Sequence, residues 1–302
     1  MPVTSTTEAI SVLFTILHLS STVVNCASEF KSQNDLVDNL KKSGIVSSLD
    51  IERAMRDVDR KFFVSSGPYE NRSHRISHGG MVSAPYVDAY VLEGLRQSLT
   101  VRAHVLCVGC TGGYLLACTG ILVESKGSVT GIEAHEQLTR INVENVKNWM
   151  AKSDKADTLG LKFGAPFHFL TGSKPEDQVT GKEFDAIYLQ GDDRRTVEVL
   201  KQLLKVGGHF VHMRRTGEGD VELVKLIRLK TTKFYETVLA RIPLDVPTKE
   251  EKPTEEEFSI DHYTLDFDEL LLASIQIKHI PDIKVVLLLL VCTVTISFIR
   301  LF

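Results

Sequence analysis

The sequence predicts an α/β fold with a mostly parallel, doubly wound sheet, helices at its N-terminal end and an antiparallel edge. Apolar strand-like runs alternate with helical segments from about residue 33 to 245. Runs such as HVLCVG (104–109) and FDAIYLQ (184–190) are continuously apolar, which is typical of parallel strands that helices cover on both faces. One of these runs also leads through a glycine-rich turn into a helix, as in many nucleotide-binding domains.

Helical spacing of apolar residues predicts three helices before the first long strand. The first ends at Gly44, and the second is capped by Asp50 and carries apolar residues over 51–58. The third opens at Ser83-Ala84-Pro85, where serine suits a cap and proline suits the first turn.

After these helices, strands and helices alternate. The predicted strands cover 104–109, 128–133, 167–172, 184–190 and 209–213, and the predicted helices cover 113–123, 134–150 and 194–204. The segment 233–244 alternates weakly between apolar and polar residues, which predicts antiparallel strands at one edge of the sheet.

The two ends of the chain differ from this body. Residues 1–28 contain an apolar core but no basic residue at their start, so a signal peptide, an anchor and a buried helix all remain open. We expect a catalytic or binding domain over 30–248, an acidic linker with a short helix over 249–280, and a transmembrane anchor over 283–302. These features predict a membrane-associated protein. It would enter the secretory pathway if the first segment is a signal peptide and otherwise lie on the cytoplasmic face of a membrane.

The charge and the cysteine positions argue against two classes of protein, namely nucleic-acid-binding proteins and disulfide-rich scaffolds. The formal net charge of −4 and the pI of about 6.2 argue against nucleic-acid binding, which usually needs a basic face. Three of the five cysteines lie close together at 107, 110 and 118, which is not the pattern of a disulfide scaffold. The sequon at Asn71 is relevant only to a chain that enters the secretory pathway.

The glycine-rich turn predicts a ligand site, because ligands of such sheets bind beyond the carboxyl ends of the strands. The turn carries Gly109, Gly112 and Gly113, which allow the backbone to approach a ligand closely. The next strand ends in Glu133, whose two carboxylate oxygens suit the two hydroxyls of a ribose. A simple packing turn beside a solvated glutamate is the alternative.

Several segments together resemble the protein-L-isoaspartate O-methyltransferases. They are VSAPYVDAYVLEGL (82–95), VLCVGCTGGYLLA (105–117), SVTGIEAHEQL (128–138), FDAIYL (184–189) and LLKVGGHFV (203–211). The resemblance covers roughly residues 33–248, and its most specific piece is Ser83-Ala84-Pro85. It implies a Rossmann-like class I methyltransferase fold, S-adenosylmethionine as cofactor, and transfer of a methyl group to the isoaspartyl carboxylate of damaged proteins or peptides.

The resemblance assigns Ser83 to catalysis, with helix capping as the alternative role for this serine. It assigns the cofactor-binding positions Cys107, Gly109, Thr111, Gly113, Glu133 and Ser173, and no metal. Two of the family's acids are absent, because Cys107 replaces the acid that opens the family's glycine loop and the family's G-D-G after the third strand reads Thr171-Gly172-Ser173 here. A lost charge-assisted contact costs about 1.5–3 kcal/mol, so we expect cofactor binding to be weakened or lost.

Two other functions compete with this one. The absent acids favour a catalytically inactive methyltransferase-like binding module on a membrane anchor. The spacing of Cys107 and Cys110 is that of a redox or metal-binding pair. Cys107 ends a strand instead of opening a helix, and no second C-x-x-C exists, which argues against both redox and zinc chemistry.

Overall fold

The computed structural model describes residues 30–163, 166–217 and 220–242. In this part of the chain the helices are α1 (Gln33–Lys42), α2 (Leu49–Asp57), α3 (Pro85–Leu95), α4 (Tyr114–Val123), α5 (Glu136–Met150), α6 (Asp154–Thr158), α7 (Pro175–Gln178) and α8 (Arg194–Leu200). The strands are β1 (His74–Arg75), β2 (Met81–Val82), β3 (His104–Val108), β4 (Ser128–Glu133), β5 (Lys162–Phe163), β6 (Pro166–Thr171), β7 (Phe184–Leu189), β8 (Leu204–Arg215), β9 (Val221–Lys230) and β10 (Lys233–Ile242).

Eight strands form one sheet in the order β10-β9-β8-β7-β3-β4-β6-β5. The six strands β3 to β8 are mutually parallel, and β9 and β10 add an antiparallel edge. From β3 the chain first moves to one side through β4, then returns to the other side through β7. The topological switch point, where ligands of such sheets bind, therefore lies around β3. The predicted fold class is confirmed.

Side chains of the central strands alternate between two apolar clusters. On β7, Ala186 and Tyr188 face the cluster that also receives α1 to α5. Ile187 and Leu189 face the second cluster, which receives residues from α8. Both faces of the sheet are therefore covered, which explains why the sequence of these strands is continuously apolar instead of alternating.

The N-terminal helices form as predicted, but their caps differ. Helix α2 begins after Ser48, and Asp50 lies within its first turn and pairs with Arg96 instead of capping. Helix α3 begins at Pro85, so its cap position is Ala84 and Ser83 lies one residue too early to cap. The capping role weighed for Ser83 is therefore wrong.

The C-terminal half departs furthest from the predicted elements. Helix α8 ends at Leu200, not 204, and a short 3-10 turn follows it. Strand β8 runs over Leu204–Arg215, well beyond the predicted 209–213. Strand β9 was not predicted, because its apolar residues do not alternate strictly with polar ones. The predicted antiparallel edge strand is present as β10.

The predicted terminal segments, 1–28 and 249–302, lie outside the described residues. Within the described part, no helix has the length and apolar character needed to cross a membrane.

Close packing between α4 and β6 gives the first testable prediction. A Cβ atom added at Gly120 would lie 2.2 Å from Cζ of Phe167, and that ring is only 1% exposed and cannot move aside freely. We expect Gly120→Ala to lower the free energy of unfolding by about 1–3 kcal/mol, measured by urea denaturation.

The matched control is Gly217→Ala, because a Cβ atom at Gly217 has no heavy atom of another residue within 4 Å. We expect this variant to change the free energy of unfolding by less than about 0.5 kcal/mol. If Gly120→Ala were as stable as the wild type, the packing described for α4 would be incorrect.

Candidate functional site

The glycine loop between β3 and α4 has the backbone conformation of a ligand-binding turn. Gly109, Gly112 and Gly113 have φ values of 75°, 89° and 88°, a region that side chains rarely adopt. A Cβ atom at Gly112 would approach Val82 Cγ2 to 2.6 Å. The loop can therefore pack tightly under β2 while it leads directly into the N-terminus of α4.

Glu133 ends β4 and lies beside this loop, as predicted. Its side chain is buried, and Asn142 donates from Nδ2 to its Oε1 at 3.0 Å. Burial raises the pKa of Glu133, while hydrogen bonds from Asn142 and Thr111 oppose the increase. Oδ1 of Asn142 is buried without a hydrogen-bond partner among the described residues.

A cavity opens at the same end of the sheet. The loop contributes Cys110 and Thr111 to its wall, and Ser83 contributes from the segment before α3. The remaining lining residues are Val82, Asp88, Tyr114, Leu115, Tyr188 and Gln190. The enclosed room is about that of one water molecule, so the cavity fits a single polar group at the reacting end of a ligand and not a whole nucleoside cofactor.

Ser83 is held in place from behind by a buried ion pair. Arg60 has a fully buried side chain, donates to Asp88 Oδ2 at 2.9 Å and donates to the Ser83 carbonyl at 3.0 Å. Its guanidinium group also lies 4.7 Å from the centre of the Tyr114 ring. Burial raises the pKa of Asp88 to about 7, although the charge and hydrogen bond of Arg60 lower it.

Two further contacts join the Ser83 segment to the rest of the domain. Asn71 Oδ1 accepts from the backbone N–H of Tyr86 and so caps α3 from a remote loop. Asn71 is only 1% exposed, which leaves no room for a glycan on the folded domain. Gln190, directly after β7, donates from Nε2 to the carbonyl of Met81 at 3.2 Å.

The structure separates the predicted cofactor residues into two groups. Thr111 lines the cavity, and Gly109, Gly113 and Glu133 lie around the same loop. Cys107 is buried in the core below the loop and is not part of the cavity wall. Ser173 is exposed after β6 and is not part of the wall either. Of the six predicted cofactor positions, Thr111 alone lines this cavity.

The cysteine pair has the surroundings of a structural site. Cys107, Cys110 and Cys118 are buried and free of disulfides. Burial raises the pKa of Cys110 well above its usual value, and its contact with Cys107 adds to the increase. A redox cysteine needs a stabilised thiolate, so this environment argues against the redox interpretation. Among the described residues, no group of three or more His, Cys, Asp and Glu side chains could hold a metal ion.

The donors and acceptors around the loop fit an adenosine-type cofactor. A ribose offers two hydroxyl donors, and Glu133 and Asn142 are neighbouring acceptors, with Oδ1 of Asn142 unpartnered among the described residues. The absence of side chains at Gly109 and Gly113 lets the loop pack closely, because an added Cβ atom would lie 3.3 Å from the Gln190 carbonyl oxygen and 3.1 Å from Val146 Cγ2, respectively.

Comparisons with known proteins identify the family of the chain. The family model for protein-L-isoaspartate(D-aspartate) O-methyltransferase matches residues 31–217. The chain belongs to this family.

Individual members of the protein-L-isoaspartate O-methyltransferase family show how far the similarity extends. A relative from Triticum aestivum is 30% identical over 197 residues, which are 64% of this chain and 82% of the relative. A relative from Caenorhabditis elegans is 35% identical over 116 residues, but the match spans only 52% of its length. A crystal structure from Plasmodium falciparum, in complex with S-adenosyl-L-homocysteine, has a TM-score of 0.59 and 25% identity over 70% of this chain and 96% of its own.

The buried ion pair yields a prediction about stability. Arg60→Met keeps much of the side-chain volume but leaves Asp88 buried without its partner. We expect the free energy of unfolding to fall by about 3–5 kcal/mol, as measured by urea denaturation.

Arg96→Met is the matched control, because the pair between Arg96 and Asp50 is about half exposed, at 46% and 44%. Exposed pairs contribute about 0–1 kcal/mol, so this variant should stay close to the wild type. Equal losses in the two variants would contradict the special position of Arg60.

Proposed function

We propose that this chain is an S-adenosylmethionine-dependent carboxyl O-methyltransferase that methylates isoaspartyl carboxylates in damaged proteins and so serves protein repair. The observation that carries the proposal is that Ser83 and the glycine loop, at Cys110 and Thr111, line the same cavity. The family match over 31–217 includes all of these residues. The wheat relative, which bears the name protein-L-isoaspartate O-methyltransferase, supports the same reaction.

The main contribution of the chain to this reaction is to hold the substrate carboxylate and the methyl donor in the correct relative position. S-adenosylmethionine, when bound, supplies a methyl group that a carboxylate oxygen can attack. A carboxylate is ionised near neutral pH, so the chain needs no general base. Ser83 can donate its hydroxyl to the substrate carboxylate, and the Arg60 contact to its carbonyl keeps it from moving. Correct placement of two reactants in one site can supply several kcal/mol of the barrier.

The cofactor would lie along the glycine loop. Glu133 and Asn142 would accept from the ribose hydroxyls, and the backbone over Gly109–Gly113 would approach the remainder. No observation favours the catalytically inactive binding module over this arrangement, because Ser83 remains at the cavity and Glu133 and Asn142 remain beside the glycine loop.

The direct test is methyl transfer from S-adenosylmethionine to a pair of peptides that differ only in an isoaspartyl or a normal aspartyl residue. We expect methyl ester on the isoaspartyl peptide alone. Ser83→Ala removes one hydrogen bond to a charged group, worth about 1.5–3 kcal/mol, and should lower kcat/KM about 10- to 100-fold.

Ser43→Ala is the control, since Ser43 is an exposed residue at the end of α1 and remote from the cavity. Its kcat/KM should equal that of the wild type. Absence of methyl ester on both peptides would contradict the proposed activity, and equal transfer to both would contradict the proposed substrate.

For location, we propose that residues 283–302 anchor the domain to a membrane. Support comes from the sequence, because Val285–Ile299 is an apolar run flanked by Lys284 and Arg300. The acidic segment 249–280 would then link the anchor to the domain. If residues 1–28 act as a signal peptide the domain would face a lumen, and otherwise it would face the cytoplasm, where S-adenosylmethionine is expected.

Synthesis of the full chain with microsomes tests this location. We expect the wild type to resist alkaline carbonate extraction and Leu288→Arg, a charge within the apolar run, to be extracted. Leu265→Arg in the acidic segment should behave as the wild type. Complete extraction of the wild type would contradict the anchor, and protection from added protease would identify the side of the membrane.

A further inference from the structure

Tyr188 has a buried hydroxyl that has no role in the proposed mechanism. Its side chain is 1% exposed, and its hydroxyl has no hydrogen-bond partner among the described residues. Buried hydroxyls without a partner reduce stability, and most buried polar groups are therefore paired. An unpaired hydroxyl of this kind calls for an explanation.

Packing alone does not explain the tyrosine. Tyr188 lies on β7 beside Cys107 of β3 and Val211 of β8, and all three face the same apolar cluster. Phenylalanine would fill this position equally well without the cost of an unpaired hydroxyl. The hydroxyl therefore either binds a group outside the apolar cluster or destabilises the fold.

Tyr188 borders the cavity, as Ser83 does. Burial raises the pKa of Tyr188 well above its usual value, and nearby Cys110 and Asp88 add to the increase, whereas a hydrogen-bonding contact with Ser83 opposes it. This contact falls short of a hydrogen bond of normal geometry among the described residues. Tyr188 thus remains a neutral O–H donor at physiological pH.

We propose that the Tyr188 hydroxyl binds the substrate carboxylate together with Ser83. The inference rests on the proposed methyl transfer. A carboxylate has two oxygens, of which one forms the new O–CH₃ bond while the S–CH₃ bond of the cofactor breaks and leaves a neutral thioether. The other oxygen is free to accept hydrogen bonds from the two hydroxyls, and no proton is transferred.

The expected kinetic effect follows from this geometry. A donor to the carboxylate is present in the bound substrate as well as in the transition state, so it acts mainly on substrate binding. Tyr188→Phe should therefore raise the KM for an isoaspartyl peptide about 10- to 100-fold, with kcat changed much less. The affinity for S-adenosylhomocysteine, measured by calorimetry, should stay within about twofold because that ligand has no isoaspartyl group.

Tyr235→Phe is the matched control, since Tyr235 lies on β10 with 55% of its surface exposed. The S-adenosylhomocysteine titration also reports that Tyr188→Phe is folded. An active wild type whose KM is unchanged by Tyr188→Phe would overturn the role of Tyr188 alone. A wild type that binds S-adenosylhomocysteine but methylates no isoaspartyl peptide would overturn the proposed function, and this inference with it.

Discussion

The buried pair between Arg60 and Asp88 is the interaction on which the arrangement of the site depends. Arg60 donates to Asp88, to the Ser83 carbonyl and to the Pro68 carbonyl, so one guanidinium group fixes three separate segments. A charge in a low-dielectric interior is tolerated only with such partners. The pair therefore links the N-terminal part of the domain to the wall of the cavity, and the position of Ser83 follows from it.

The parallel sheet could be predicted from the sequence because its strands are covered on both faces, and burial on both faces leaves a continuous apolar run. The glycine loop and Glu133 could be predicted for a related reason, since both follow directly from where a strand ends. The cap of α3 could not be predicted locally. Asn71 supplies it from a loop that lies far away in sequence, and no spacing rule within the helix reveals such a partner.

Some residues of the site could likewise be predicted from the sequence, and others could not. Ser83 and Thr111 were predicted from a motif and do line the cavity. Cys107 and Ser173 were assigned because they stand at family positions, but the structure places them in the core and on the surface. Tyr188 has the sequence context of an ordinary core residue, and only the missing partner of its hydroxyl distinguishes it. Thus the lost acids alter the loop without removing the acceptors at Glu133 and Asn142.

Whether the altered loop still binds its cofactor is decided most directly by calorimetric titration of S-adenosylhomocysteine into the full chain. The structure predicts saturable binding by the wild type and an affinity about 10- to 100-fold lower in Glu133→Gln, since a charge-assisted hydrogen bond is lost. Glu183→Gln, an exposed residue before β7, should match the wild type. No detectable binding by the wild type at millimolar S-adenosylhomocysteine would contradict the cofactor site.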